Sequence, residues 1–397
     1  MATYKEQNKL NVPHLRFPEF HGEWEKHGLS EYLDFKNGLN PDSKRFGKGI
    51  KFISVMDILN NPVITYDCIR ASVQATDAEI SSFSVENGDI LFQRSSETLE
   101  DVGRANVYID DRVAVFGGFV IRGKKKANYN PLFFRYLLSS PYARKRIIPM
   151  GAGAQHFNIG QEGLSKVLLN FPSIEEQTKI ASLLHLLDER IATQSKLIEK
   201  LESLIKGIVD STILRKEKNA IIGDVCSISE QIRAEANIDD IITVRLHGNG
   251  VCKSSAENLQ LGATQYYRRR AGQLIYGKQN FHNGAIGIVP ISLDNGITSK
   301  DIPSFDIDEM KCNSVYLLAQ LQSPQYYKPA EALTTGTGSK RLKEETFLKM
   351  PIVLPNKREQ DNIAVLIHRA SMNLDHAKRL LELLSIQKQF LLRQMFI

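Results

Sequence analysis

The sequence predicts an α+β protein in which two mixed α/β globules are separated by a long antiparallel two-helix coiled-coil spacer, the whole forming a tandem pseudo-twofold repeat. Three observations carry this expectation. The first is internal repetition: Pro172, Glu176, Gln177, Ile180, Ala181, Leu183 and His185 recur 183 positions later as Pro355, Glu359, Gln360, Ile363, Ala364, Leu366 and His368. Upstream, Ser140 and Pro141 match Ser323 and Pro324, and Gly88, Arg94 and Gly103 match Gly272, Lys278 and Gly287 after a slip of one. So many coincidences at one offset mark a duplication. The second is a 4-3 apolar alternation after each Pro-x-x-x-Glu-Gln, and the third is a set of short strand-like runs between these stretches.

In chain order, residues 1–174 are expected to form the first globule and 175–218 the first spacer helix. Residues 219–355 then form the second globule and 356–397 the second spacer helix. The globular parts proper, Leu29–Phe171 and Ile221–Leu354, contain strand-like runs at Ile50–Val55, Asp89–Phe92, Val113–Val120, Ile241–Val244 and Ala285–Ile291. A short helix is expected before each Ser-Pro pair, at Pro131–Leu138 and Cys312–Gln322. Lys216 to Asn219 is the clearest linker.

The first seam is Ile180, Leu184, Leu187, Ile191, Gln194, Ile198, Leu201, Ile205 and Ile208. The second keeps the same offset at every position: Ile363, Ile367, Ala370, Leu374, Ala377, Leu381, Leu384, Lys388 and Leu391. A stripe this narrow over about 40 residues, roughly 60 Å of helix, is a coiled-coil seam, whereas a core helix shows a wider apolar face and stops sooner. Glu175 and Glu176 place negative charge in the first turn, where the helix dipole favours it. Gln194 and Lys388 interrupt the seam, either fixing its register or lying where the pair frays.

Composition excludes several classes. With 397 residues, 42% hydrophobic and 24% charged, the chain is not globally disordered. Its longest apolar run, Val113–Ile121, contains Gly117 and Gly118 and is far shorter than the roughly 20 residues of a membrane helix. The opening residues, with Lys5, Glu6, Asn8 and Lys9, lack the order of a secretory signal, so a cytoplasmic location is expected. Cys68, Cys226, Cys252 and Cys312 form no C-x-x-C pair and read as small core residues of a reducing compartment. The net charge of +6 permits a polyanionic partner without requiring one.

No catalytic signature is present. Gly151-Ala-Gly153 and Gly336-Thr-Gly338 begin like glycine-rich phosphate loops, but His156 and Arg341 stand where the third glycine would be, and no G-K-[ST] follows. The histidines supply no zinc-binding helical pair, and no metal site is expected. Asp42-Ser-Lys44 reads as a turn.

The polar residues suit nucleic acid instead. Basic clusters lie beside strand ends at Lys44, Arg45, Lys48 and Lys51, at Arg122 to Lys126, and at Arg268, Arg269 and Arg270. Arg94 and Lys278 occupy equivalent positions after Gly-Asp-Ile-Leu-Phe and Gly-Gln-Leu-Ile-Tyr. A charge retained in both halves suits the sequence-independent phosphate backbone. The residues around it differ: Gln93, Ser95 and Ser96 against Gln279, Asn280, His282 and Asn283, and Gln155, His156 and Asn158 against Lys340, Arg341 and Lys343. Such side chains pair with base edges, so unlike loops on one scaffold would read unlike sequences.

This combination resembles the specificity subunit of a bacterial type I restriction-modification system. The resemblance rests on Leu15-Arg-Phe-Pro-Glu-Phe-x-Gly-Glu-Trp24, on Gly151-Ala-Gly-Ala-Gln-x-x-Asn158, and on Pro-x-x-x-Glu-Gln-x-x-Ile-Ala followed by a long helix, present twice. It covers essentially the whole chain. It implies two target-recognition domains, each reading one half of a bipartite double-stranded DNA site. It also implies two methyltransferase subunits docked on the helices, with restriction subunits joining them. The expected DNA-contacting residues are Lys44, Arg45, Arg94, Ser95, Gln155, His156, Asn158, Arg268, Lys278, Gln279, Asn280, His282, Lys340 and Arg341. The expected spacer and docking residues are Glu176, Gln177, Ile180, Leu187, Ile191, Leu201, Glu359, Gln360, Ile363, Leu374 and Leu381. The chain itself is expected to be non-catalytic and to hold no cofactor. S-adenosylmethionine would belong to the methyltransferase, and ATP and Mg to the restriction subunit. The loop from Gly336 departs from the pattern, being two residues shorter before its Pro than the loop from Gly151. The alternative reading is a coiled-coil adaptor without a DNA role. A stand-alone methyltransferase is disfavoured because Asn60-Asn-Pro-Val63 lacks the second Pro and the aromatic residue of such a site.

Overall fold

The computed structural model describes residues 11–153, 155–254, 264–336 and 340–397. The chain forms two compact units, Met1–Gln194 with Leu380–Ile397 and Ser195–Arg379. Each long helix therefore contributes to both.

In the first unit a four-stranded antiparallel sheet runs in the order Leu33–Asn37, Val120–Lys125, Ile90–Gln93, Ala105–Val107. Strand residues alternate faces. Ile90, Phe92 and Ile121 enter the main core with Trp24, Phe133, Phe134 and Leu137. Leu91 and Val120 enter a second core with Ile53, Ile58 and Phe116. Covering both faces is what makes these strands read as unbroken apolar runs. The helix Pro131–Ser139 is started by Asn130, whose side chain accepts from the Phe133 N–H, and Ser140 starts the next helix at Pro141 in the same way. The expected single strand Val113–Val120 is corrected to two, Ala114–Phe116 and Val120–Lys125, because Gly117 and Gly118 break it at a turn.

The second unit repeats the sheet with the same order and sense: Cys226–Ile228, Ser304–Ile307, Leu274–Tyr276, Ile286–Ile288. Again Leu274 and Tyr276 face one core and Ile275 another. All four cysteines are free. Cys226 and Cys312 are buried, and burial pushes both thiols up to about 12.

The long helices span Ile174–Val209 and Lys357–Gln394. Ser173 and Asn356, at the repeat offset, each accept from an N–H in the first turn. Along both helices the seam positions are the sheltered ones, while most of their neighbours are exposed. In the first unit Ile180, Leu184 and Leu187 share a core with Leu384 and Leu391. In the second, Glu202 pairs with Lys378 at 2.8 Å and, farther along the chain, Lys216 pairs with Glu359, so the segments run antiparallel. The first α-helix stops at Val209 and closes in a π-helical turn at Asp210–Leu214, not at the expected Lys218. Gly207 is intrinsically weak in a helix. The Ser211 and Thr212 hydroxyls bond back to the Gly207 and Ile208 carbonyls, competing with the ladder.

Lys388 does not fray. Its ammonium lies 2.5 Å from Asp188, which also accepts from the Tyr136 hydroxyl at 2.8 Å and pairs with Arg135 at 3.2 Å. Burial alone would raise the Asp188 pKa, but the Lys388 ammonium, the Tyr136 hydroxyl and the Arg135 guanidinium together outweigh it and the net shift is downward. A carboxylate depressed in the folded state stabilises fully above its unfolded pKa, and that contribution is lost as pH falls through the depressed value. Asp188→Asn should therefore cost about 2 kcal/mol at neutral pH. It should also flatten the acid-side decline of the first unit's unfolding midpoint below pH ~4. Parallel declines in native and variant protein would show that the cluster does not act this way.

Candidate nucleic-acid interface

Two loops meet at the end of the strand Ile90–Gln93. Residues Ser95–Ser96 pair with Phe157–Asn158 as a short ladder. The Ile159 N–H donates to the Arg94 carbonyl at 2.9 Å, and the Arg94 N–H donates to the Phe119 carbonyl at 2.9 Å. The Arg94 guanidinium donates to the Gly118 carbonyl at 3.2 Å. The Ser95 hydroxyl donates to Asn158 Oδ1. Ala152 and Asn158 exchange two backbone hydrogen bonds, leaving Gln155 and His156 on the exposed tip between them. Arg94, Ser95, Gln155, His156 and Asn158 thus share one surface. Among the described residues Arg94 has no carboxylate partner.

The second unit rebuilds the same backbone. The Leu342 N–H donates to the Lys278 carbonyl at 2.9 Å, and Thr335 and Arg341 exchange two backbone hydrogen bonds. These pairs sit 183 to 184 positions after their counterparts. Gly336, at φ 132°, therefore matches Gly153, at φ 142°, and not Gly151. The expected two-residue shortening disappears, and Arg341 stands where Asn158 stands in the first unit. A Cβ on Gly153 would come within 2.0 Å of the His156 carbonyl oxygen, so the close approach itself requires glycine. Ala154, Thr337, Gly338 and Ser339 lie outside the described residues.

The charges, however, are held differently. Lys278 is 16% exposed and pairs with Glu344 at 2.7 Å, Arg341 pairs with Asp301 at 3.2 Å, and Lys340 with Glu331 at 3.4 Å. Gln279 and Asn280 are exposed, whereas His282 is half-buried. Arg268 is exposed but lines another cleft with Glu230, Asp306 and Glu309. Two basic clusters are corrected in part. Arg269 is wholly buried, held by Thr298, Ser304 and the Ile302 carbonyl, and burial pushes its guanidinium down to about 10. Arg122 is likewise 5% exposed, under the Phe116 ring.

Lys44 is exposed on the turn Ser43–Arg45. Arg45 is committed to Glu79, reached through two guanidinium nitrogens, and to the Gln74 carbonyl at 2.8 Å. The Arg45 guanidinium, aided by the Thr76 backbone, holds the Glu79 carboxyl down at about 2. Arg45 therefore positions its loop and is not a free phosphate ligand.

The expected docking set is corrected too. Glu176, Gln177, Ile180, Gln360 and Ile363 are each no more than 6% exposed and cannot touch a partner. Gln177 accepts from the Asn130 N–H at 3.1 Å and donates to the Pro172 carbonyl. Gln360 does the same with Asn313 and Pro355. The repeated glutamine thus clamps each globule to the start of its helix. Leu187, Ile191, Leu201, Leu374 and Leu381 are seam residues, and Glu359 pairs with Lys216. The apolar side chains a partner could reach lie off the seam. They include Leu186, Leu383, Ile386 and Phe390 in the first unit, and Leu204, Val365, Leu366 and Met372 in the second. Their departure from the 4-3 alternation was the available sequence signal.

Also absent from the sequence reading is a cleft of about 410 Å³ beside Ser95, walled by Phe46, Phe52, Met56, Gly118 and Phe119. Among the described residues no three His, Cys, Asp or Glu side chains could hold a metal ion, and no helix is long and apolar enough to cross a membrane.

The fold is that of a type I restriction-modification S subunit: over 97% of this chain and 99% of the other, it matches the crystal structure of the S subunit from M. genitalium with a TM-score of 0.65 and 14% identity. Residues 21–203 match the family model of the type I restriction modification DNA specificity domain. The chain is also similar to two proteins of Methanocaldococcus jannaschii. One is the type I restriction enzyme MjaVIII specificity subunit, 20% identical over 92% of this chain and 89% of that protein. The other is the putative type I restriction enzyme MjaX specificity subunit, 25% identical over 53% of this chain and about half, 49%, of that protein's length. The resemblance read from the sequence is borne out.

Proposed function

We propose that this chain is the sequence-specific DNA-binding specificity subunit of a type I restriction-modification complex, non-catalytic in itself. Its two units read the two parts of an asymmetric site. Two methyltransferase subunits dock on the long helices and bring S-adenosylmethionine, and restriction subunits with ATP and Mg join through them, in the cytoplasm. The observation that carries this reading is the retained frame with unlike side chains. The Arg94–Ile159 and Lys278–Leu342 backbone bonds hold equivalent loops, yet one loop presents Gln155, His156 and Asn158 and the other Lys340 and Arg341. Phosphate contacts position a protein and side chains on base edges specify sequence, so a duplicated frame with divergent loops suits a two-part target. The off-seam apolar residues support docking on the helices.

The test is to express the chain with its methyltransferase partner in a host lacking adenine methylation and to map modified bases across the genome. A two-part, asymmetric motif is expected. An assembled complex that modifies nothing would favour the adaptor reading.

A further inference from the structure

The cleft beside Ser95 has an unusual lining. Phe119 is 69% exposed, Met56 61% and Phe46 42%. Single exposed apolar side chains are ordinary, but three around one cleft form a patch of the kind that marks a binding surface. The backbone is built to present them. Phe119 sits on the turn whose carbonyls hold Arg94. Phe46 is on a bulged strand, where Gly47 and Gly49 take φ of 98° and 99° and the pairing with Val73 shifts register. Its ring rests edge-on against Phe52 at 5.2 Å.

Charge selects the occupant. No carboxylate lines this cleft, whereas Glu230, Asp306 and Glu309 line one neighbour in size and Glu100 another. Lys44 and Lys48, both exposed, flank Phe46, and Arg94 lies next to Ser95. An apolar cleft without a carboxylate in its lining, whose wall residues Phe46 and Ser95 neighbour Lys44, Lys48 and Arg94 along the chain, suits a polyanion that presents an apolar group. In the major groove of DNA that group is the 5-methyl of thymine. A base turned out of the helix would need hydrogen-bond partners for its edge. Here the Ser54 hydroxyl is spent on Asp57 and that of Ser95 on Asn158, leaving Asn40 as the remaining polar side chain of the lining.

We propose that the cleft walled by Phe46, Met56 and Phe119 reads a thymine through its 5-methyl group in the part of the target bound by the first unit. This rests on the proposed DNA-reading role and names the base chemistry of one site within it.

The test uses the assembled complex of chain and methyltransferase on duplexes carrying the mapped target, with each thymine replaced singly by deoxyuridine. One replacement in the first unit's part should weaken binding roughly 4-fold, the effect of withdrawing one methyl from an apolar contact. Phe119→Ala should weaken binding to the thymine duplex by the same factor and be indifferent to that replacement. Its exposure allows it to fold, which unchanged Trp24 fluorescence on unfolding would verify. The proposal is overturned if no replacement matters, if the mapped part contains no thymine, or if Phe119→Ala weakens thymine and deoxyuridine duplexes alike. It is also overturned if the variant weakens methyltransferase association instead, which would assign the cleft to protein. Failure of the DNA-reading role itself would show separately, as no specific binding to the unmodified duplex.

Discussion

Glu176→Ala is expected to destabilise the first unit by about 3–5 kcal/mol, the cost of removing one partner from a buried ion pair. Glu176 is 1% exposed and accepts from Arg16 through both oxygens, at 2.8 and 2.7 Å, and from the Trp24 indole at 3.3 Å. Arg16 also donates to the Gly22 and His21 carbonyls. The carboxylate thereby ties the segment Leu15–Trp24 to the first turn of the long helix. The repeat supplies its own control. Glu359 occupies the equivalent position, yet it is 40% exposed and its partner Lys216 is equally so. Glu359→Ala should then cost under about 1 kcal/mol, as exposed pairs do. Trp24 is the chain's single tryptophan. Its fluorescence during denaturant unfolding reports the first unit directly, while far-UV circular dichroism, which reads both units, follows the Glu359 variant, and equal effects of the two substitutions would refute the assignment.

Arg94→Glu is expected to weaken DNA binding by the complex about 10- to 100-fold and to lower the slope of affinity against salt by about 1, as loss of one phosphate contact does. Lys278 looked equivalent in the sequence, but Glu344 already neutralises it at 2.7 Å. Lys278→Gln should therefore change affinity and salt slope far less. Fluorescence anisotropy at two salt concentrations measures both. Identical losses would mean that the ion pair opens when DNA binds, and no loss for Arg94→Glu would remove this loop from the interface.

Several features were legible before the structure. The duplication fixed which loops correspond, and the 4-3 stripes located the long helices to within a few residues at their starts, because the repeated Pro-x-x-x-Glu-Gln marks each one. The ends were less legible: the π turn at Asp210–Leu214 depends on hydroxyls bonding back to the ladder, which no apolar spacing records. The loop alignment also failed by two residues. The repeat offset of 183 pairs Gly336 with Gly153, whereas the glycine-loop pattern aligns it with Gly151, and the positive φ at Gly153 and Gly336 agrees with the offset.

The sequence by itself determined the repeat, the sheet-bearing halves, the coiled-coil seams and the family resemblance, since these depend on periodicity and on recurrence along the chain. Tertiary structure alone decided which charges are available. Arg45, Arg269, Lys278 and Arg341 look alike as basic letters. One is committed to Glu79, one is buried, and two are paired with carboxylates 66 and 40 positions away along the chain. Whether an ionisable side chain meets water or a counter-charge depends on which distant segment folds against it, as does the gathering of Phe46, Met56 and Phe119 around one cleft.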